Sequence, residues 1–207
     1  MKFLWISGWA IPPAWFAQQA RETWPAAEHT AVSPTDAAAA LNQQKYDALG
    51  GYSLGSLWLL KQHQVIAREI PVILLAPIFA FTTEQDQGGQ IALAQLKLQR
   101  RRLRNDTPRA LADFRQRAEM HNLVPIPEDL SPQAIASLEE ELHWLEKWQV
   151  PPPPPQHWQG VVGNNDPLLD AVVLKSHWPK LTILRDAGHA PRPLLREAAR
   201  IFSPNPQ

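Results

Sequence analysis

Three polar side chains, far apart in the chain, carry the chemistry this sequence can do: Ser53, Asp166 and His189. Ser53 stands in "GGYSLGS", between Gly51 and Gly55, after the apolar "YDALGGY" and before "LWLLKQHQVIA". Strand, serine on a sharp turn, then helix is the arrangement that presents a hydroxyl as a nucleophile. The flanking glycines suit it, because such a turn brings backbone close to the neighbouring strand and helix and leaves no room for a β-carbon. A helix beginning there also directs the positive end of its dipole at developing negative charge. The same pentapeptide also reads as a plain glycine-rich turn with a hydrogen-bonded serine.

A serine at neutral pH needs a base, and the base needs an acid to orient it. Downstream of such a turn the order to expect is Ser, then Asp or Glu, then His. "VVGNNDPLLD" puts Asp166 just beyond one predicted strand, and "TILRDAGHAP" puts His189 just beyond the next. Carboxyl ends of parallel strands open on one sheet edge, so these residues can converge. Taken singly, Asp166 reads equally as a cap of the helix that starts at Pro167, and His189 as a loop histidine. Asp186 is a candidate brace for the histidine loop, and Asp170 reads as a solvated residue one turn into a helix. His29, His63, His121, His143, His157 and His177 hold no comparable place. Acyl transfer further requires donors for an oxyanion. The backbone N–H groups of Leu54, next after the serine, and of Trp9, in "SGWAIPP", are the candidates. The Trp9 indole would then wall the pocket, or serve simply as a core aromatic.

The elements that must position these groups alternate. "KFLWIS" (2–7), "EHTAVS" (28–33), "YDALGGY" (46–52) and "PVILLAPIFAF" (71–81) read as strands, separated by helices over 12–24, 34–44 and 54–68. Strands alternating with helices imply parallel pairing and a layered α/β domain. From 82 to 150 there is no strand pattern, only three helical segments, with Thr107 and Ser131 as caps before proline. The proline run 151–155 reads as a stiff linker back to the sheet. Alternation then resumes with "HWQGVVG", "DPLLDAVVLKSHW", "KLTILRD" and "RPLLREAARIF". The organisation expected is a core of 1–81 and 156–207, a helical lid insertion over 82–150, and the linker.

Composition sets limits. The 207 residues suffice for one domain with a real core, and 20 basic against 20 acidic residues argue neither for nucleic acid nor for an anionic membrane surface as a partner, so neither is expected. The absence of cysteine excludes disulfides, a thiol nucleophile and cysteine-held metal, and it fits a cytoplasmic protein. The lysine and apolar run at the start imitate a secretory signal, but Gly8 and Pro12-Pro13 interrupt it, and no stretch is long enough to span a membrane. Some of the nine tryptophans are expected to line a pocket.

Together "WISGW", "GGYSLGS", "GNNDPLL" and "DAGHAP" resemble the α/β-hydrolase family, and more narrowly the pimeloyl-acyl-carrier-protein methyl ester esterases of biotin synthesis. The narrower likeness rests on the Gly-Trp after the first strand and on "ALADFRQRA" and "LEEELHWLEKW" in the insertion. It implies an α/β-hydrolase fold with a trimmed, mainly parallel sheet of about six strands. It also implies a monomeric serine carboxylesterase with no cofactor or metal, acting on an acyl group borne by acyl carrier protein. Members of the family have His before Gly-Trp where this chain has Ser7, and carry strands ahead of this point. The resemblance further implies that Phe114 in the lid joins Trp9, Leu54 and His189 in contacting substrate. Lys97, Arg100, Arg101, Arg102, Arg104 and Arg109 form a basic run that reads as a solvated helix face or as a dock for an acidic carrier protein. Two other functions stay open: an esterase or thioesterase for other small acyl groups, and a non-catalytic binding protein of the same fold.

Overall fold

The computed structural model describes residues 1–121, 123–124 and 130–202, so the expected lid and core ranges each include residues outside those described. Strands β1 (Lys2–Ile6), β2 (Glu28–Val32), β3 (Ala48–Tyr52), β4 (Val72–Leu75), β5 (Gln159–Gly163) and β6 (Thr182–Leu184) form one sheet of six strands. Every pairing is parallel, in the order β2-β1-β3-β4-β5-β6. Helices α1 (Pro13–Thr23), α2 (Ala37–Gln43), α3 (Leu54–Lys61), α7 (Ala171–His177) and α8 (Pro191–Phe202) make the crossovers and the last layer. Order reverses at β1, from which β2 lies to one side and β3 to the other, and Ser53 stands beside that switch point.

Central strands of a sheet covered on both faces read as continuous apolar runs. β1, β3 and β4 do so: after Lys2 every residue of the three is buried. One face carries an aromatic cluster in which Phe3, Trp5, Trp24 and Phe202 pack beneath α1 and α8. Its polar member is His29, whose Nδ1 accepts from the Trp5 indole at 2.9 Å. The imidazole therefore carries its proton on Nε2 and donates it to the Trp24 carbonyl at 2.8 Å. Burial lowers the His29 pKa, in keeping with a neutral ring. Six of the tryptophans (Trp5, Trp9, Trp24, Trp58, Trp158 and Trp178) are buried in the core, so most of that load is packing.

Three helices lie between β4 and β5 in the chain: α4 (Leu93–Asn105), α5 (Thr107–Arg117) and α6 (Pro132–Lys147). Ser131 caps α6, accepting from the Ala134 N–H at 3.2 Å. At α5 the cap is Asp106, not Thr107: the Asp106 carboxylate accepts from the Arg109 N–H, while the Thr107 hydroxyl turns back to the Leu103 carbonyl. Two expected elements are shorter than their apolar runs. The strand expected over 71–81 pairs only through Val72–Leu75, because the chain turns away at Ala76, with φ 48°. Ile78–Phe81 stay buried as loop. The helix expected over 54–68 ends at Lys61 and gives way to a short 3₁₀ turn at His63–Val65. No helix among the described residues is long and apolar enough to cross a membrane.

Candidate active site

β3 ends at Tyr52 and α3 begins at Leu54, so Ser53 alone makes the turn between them. Its φ of 54° and ψ of −116° lie where a non-glycine residue is strained. The surroundings hold it there. The Ser53 N–H donates to the Leu75 carbonyl at 2.9 Å, and its own carbonyl accepts from the Ser56 hydroxyl. That hydroxyl oxygen in turn accepts from the Ile78 N–H at 3.0 Å, tying the turn to the chain leaving β4. The flanking glycines have the reason expected of them. A β-carbon on Gly55 would sit 2.0 Å from the Ile6 carbonyl oxygen, and one on Gly51 would sit 2.7 Å from the Gly55 oxygen. Both obstacles are backbone and cannot swing aside.

Ser53, His189 and Asp166 come together at the carboxyl edge of the sheet. His189 Nε2 lies 3.1 Å from Ser53 Oγ, and His189 Nδ1 lies 2.7 Å from Asp166 Oδ2. A carboxylate can only accept, so the imidazole proton is on Nδ1 and the Nε2 lone pair faces the serine hydroxyl. The second Asp166 oxygen accepts from the Leu168 N–H at 2.9 Å, which fixes the carboxylate in plane. The three side chains are almost fully enclosed, with 5 %, 1 % and 4 % of Ser53, His189 and Asp166 exposed.

Tyr52 holds the histidine loop in place, a role not foreseen from the sequence. Its hydroxyl donates to the His189 carbonyl at 2.8 Å, and its ring packs against the imidazole. Burial, with the charge of Asp166 added, pushes the Tyr52 pKa well above its ordinary value, so the phenol remains a donor. The signal was available inside "GGYSLGS": a buried tyrosine must find a partner for its hydroxyl. Asp186 begins the same loop with a left-handed φ of 57°. Asp170 does not lie one turn into a helix as expected but caps α7, half-buried and accepting from the Val172 and Val173 N–H groups at 2.9 and 3.0 Å.

The loop after β1 lies against the serine from the other side. A β-carbon on Gly8 would meet the Tyr52 ring at 3.1 Å and Ser53 Cβ at 3.2 Å, so glycine permits the approach. The Trp9 and Leu54 N–H groups donate to no described residue, and Leu54 opens α3, where backbone donors are left without partners. The Leu54 side chain is buried in the core. The Trp9 indole donates to the Leu138 carbonyl of α6 at 2.9 Å and meets Phe114 of α5 edge-on, with ring centres 4.6 Å apart. Trp9 thus ties the loop after β1 to α5 and α6.

Half of the basic run is engaged within the molecule. Arg100 pairs with Glu146 at 3.0 Å, Arg102 with Asp113 at 2.7 Å, and Arg104 with Glu139 at 2.8 Å. Lys97, Arg101 and Arg109 are exposed and make no ion pair among the described residues. Nor does any group of three or more potential metal ligands gather among those residues.

No protein-family model matches the chain, and no curated protein matches it in sequence. Solved structures do match in shape. An esterase from Exiguobacterium antarcticum aligns with TM-score 0.72 and 12% identity over 98% of this chain and 91% of its own. The RedJ thioesterase of prodiginine biosynthesis from Streptomyces coelicolor aligns at 0.60 and 14% over 97% and 84%. BioG from Haemophilus influenzae aligns at 0.56 and 15% over 91% and 88%. The all-parallel sheet and its flanking helices align with these structures over most of their length: the chain has the α/β-hydrolase fold.

Proposed function

We propose that the protein is a serine hydrolase acting on carboxylic esters, and that its substrate is the methyl ester of a pimeloyl group on acyl carrier protein. The observation that carries the first part is the hydrogen-bonded sequence Ser53–His189–Asp166 on a strained turn. His189 Nε2 takes the hydroxyl proton as Ser53 Oγ attacks the ester carbonyl, and Asp166 stabilises the imidazolium that forms. The tetrahedral oxyanion is received by the Trp9 and Leu54 N–H groups, which have no described acceptor to release first. His189 returns its proton to the departing alcohol. Water, activated by the same imidazole, then frees the acid and restores Ser53. Helices α4 to α6 act as a lid in this reading, since Ser53 is enclosed and Trp9 ties the loop after β1 to α5 and α6.

The choice of substrate rests on the motif resemblance, with BioG among the structures sharing the fold. A second reading, an esterase or thioesterase for small free acyl substrates, is favoured by the internal ion pairs of Arg100, Arg102 and Arg104, which leave Lys97, Arg101 and Arg109 as the unpaired half of the basic run. Hydrolysis of p-nitrophenyl butyrate by the wild type and its loss in Ser53→Ala tests the chemistry. Growth without biotin of an auxotroph lacking its own pimeloyl-ester esterase tests the substrate. Rescue by the wild type alone supports the carrier-bound ester, whereas no rescue by an enzyme active on the aryl ester selects the second reading.

A further inference from the structure

A cleft of about 330 Å³ lies behind the loop after β1, bounded by that loop, the β2–α2 connection, α5 and α6. It is at the small end of the range for ligand pockets, about 300 to 1,000 Å³. Ile11, Pro12, Pro34, Leu111 and Leu138 supply an apolar wall. Ser53 is not among its lining residues; Gly8 is, and a β-carbon there would meet Ser53 Cβ at 3.2 Å, so the loop after β1 separates the cleft from the serine.

Two buried polar groups on this cleft lack partners: Ser7 Oγ and Arg115 Nε. Arg115 is 1 % exposed and Ser7 is fully enclosed. Of the five guanidinium N–H donors, one on Nη1 reaches the Val124 carbonyl at 3.1 Å and one on Nη2 the Ala10 carbonyl at 3.0 Å. No described carboxylate pairs with Arg115, although a buried guanidinium without a counter-charge is costly and burial draws its pKa down. The Nε edge of a guanidinium is one side of the fork that matches a carboxylate.

We propose that this cleft is a second binding site, distinct from the serine site, for the carboxylate of a short aliphatic acid. Arg115 holds the carboxylate through Nε, Ser7 donates its hydroxyl to it, and the alkyl chain lies on the proline and leucine wall. Of the two acidic residues on the cleft, only Asp36 sets a charge against a bound anion. Glu141, on α6, has its pKa raised to about 8 by burial, so it is protonated at neutral pH. Asp36 lies at the exposed rim, where its carboxylate accepts from the Ser33 hydroxyl at 2.6 Å. Because Arg115 also holds the carbonyl of Ala10, the acid would settle next to the Ala10–Ile11 peptide.

Sodium octanoate, titrated into full-length Ser53→Ala protein and followed by calorimetry and by ¹H–¹⁵N spectra, tests this without any turnover. The expected result is saturable one-to-one binding at neutral pH, with amide shifts at Ser7, Ala10, Thr35 and Arg115. 1-Octanol, which lacks the charge, should bind at least tenfold more weakly. Arg115→Lys should weaken octanoate tenfold or more, Ser7→Ala severalfold, and Ala134→Trp, which fills the cleft and leaves Arg115 in place, should block it. A folded protein that shows no saturable binding overturns the proposal. So do shifts confined to Leu54, Gly188 and His189, or undiminished affinity in folded Ser7→Ala and Ala134→Trp. Because the serine is absent throughout, failure of the hydrolase reading would leave this result unaffected.

Discussion

Two groups of buried polar side chains flank the loop after β1, and they are built differently. On the serine side the polar side chains are linked: Ser53 meets His189, His189 meets Asp166, Asp166 meets the Leu168 N–H, and Tyr52 and Ser56 reach carbonyls. On the α5–α6 side Ser7 and one Arg115 nitrogen have no partner, and Glu141 is buried as a carboxyl away from any cation. A fully connected network in a low dielectric is rigid and fixes geometry before substrate arrives. Orphaned donors remain costly until something meets them. The first side is prepared for chemistry, and the second has donors to offer.

Changes that cut the connected side should show the largest effects. Asp166→Asn keeps the shape but reverses the donor at His189 Nδ1, which favours the wrong tautomer; kcat on p-nitrophenyl butyrate should fall by about 10⁴. A loss of less than tenfold in a folded variant would mean that Asp166 does not orient the base. Glu141 probes the other side through pH. Its pKa is about 4.5 unfolded and about 8 folded, so the folded state holds the extra proton. The stability it contributes is complete below about pH 4.5 and is lost as pH rises through about 8. Glu141→Gln, which keeps the neutral form, should match the wild type near pH 5 and exceed it at pH 9, by on the order of 4 kcal/mol. Denaturant unfolding at the two pH values measures this, and parallel curves for both proteins would contradict it.

A smaller effect is expected at Tyr52. Tyr52→Phe removes the bond to the His189 carbonyl and should cost about 1 kcal/mol of stability. With the imidazole less well held, kcat should drop by roughly tenfold while KM stays unchanged. A rise in KM alone would place Tyr52 in substrate binding. The smallest change concerns the exposed surface. Arg101→Glu with Arg109→Glu should leave p-nitrophenyl butyrate turnover as it was, yet raise KM for carrier-bound ester by about tenfold if these residues receive an acidic partner. Equal kinetics on both substrates would remove that role.

The connected side was legible in the sequence because its constraints are local or topological. Gly51 and Gly55 report backbone crowding, and Asp166 and His189 each follow a strand whose end must open on the same edge. Sheet order, element sequence and the helices between β4 and β5 follow from alternation and its interruption. What could not be read depends on contacts between distant segments. The run "PVILLAPIFAF" shows that 71–81 is buried, but only neighbouring strands decide that pairing stops at Leu75. Asp106 and Asp170 act as caps through bonds one turn ahead, whereas Thr107 and the helix start at Pro167 looked as suitable. The ion pairs within the arginine run could not be read either, because Glu139 and Glu146, which pair with Arg104 and Arg100, lie on another helix. Arg115 and Glu141 carry no sequence mark at all, since charged residues in amphipathic helices usually face water.

The central claim, that Ser53 is the nucleophile, is tested most directly by a fluorophosphonate probe followed by peptide mass spectrometry of the adduct. A single phosphonyl group on Ser53 of the wild type, absent from Ser53→Ala and greatly slowed in Asp166→Asn, is the predicted result. Folded wild-type protein that takes up no probe, or that carries it on another residue, would contradict the account.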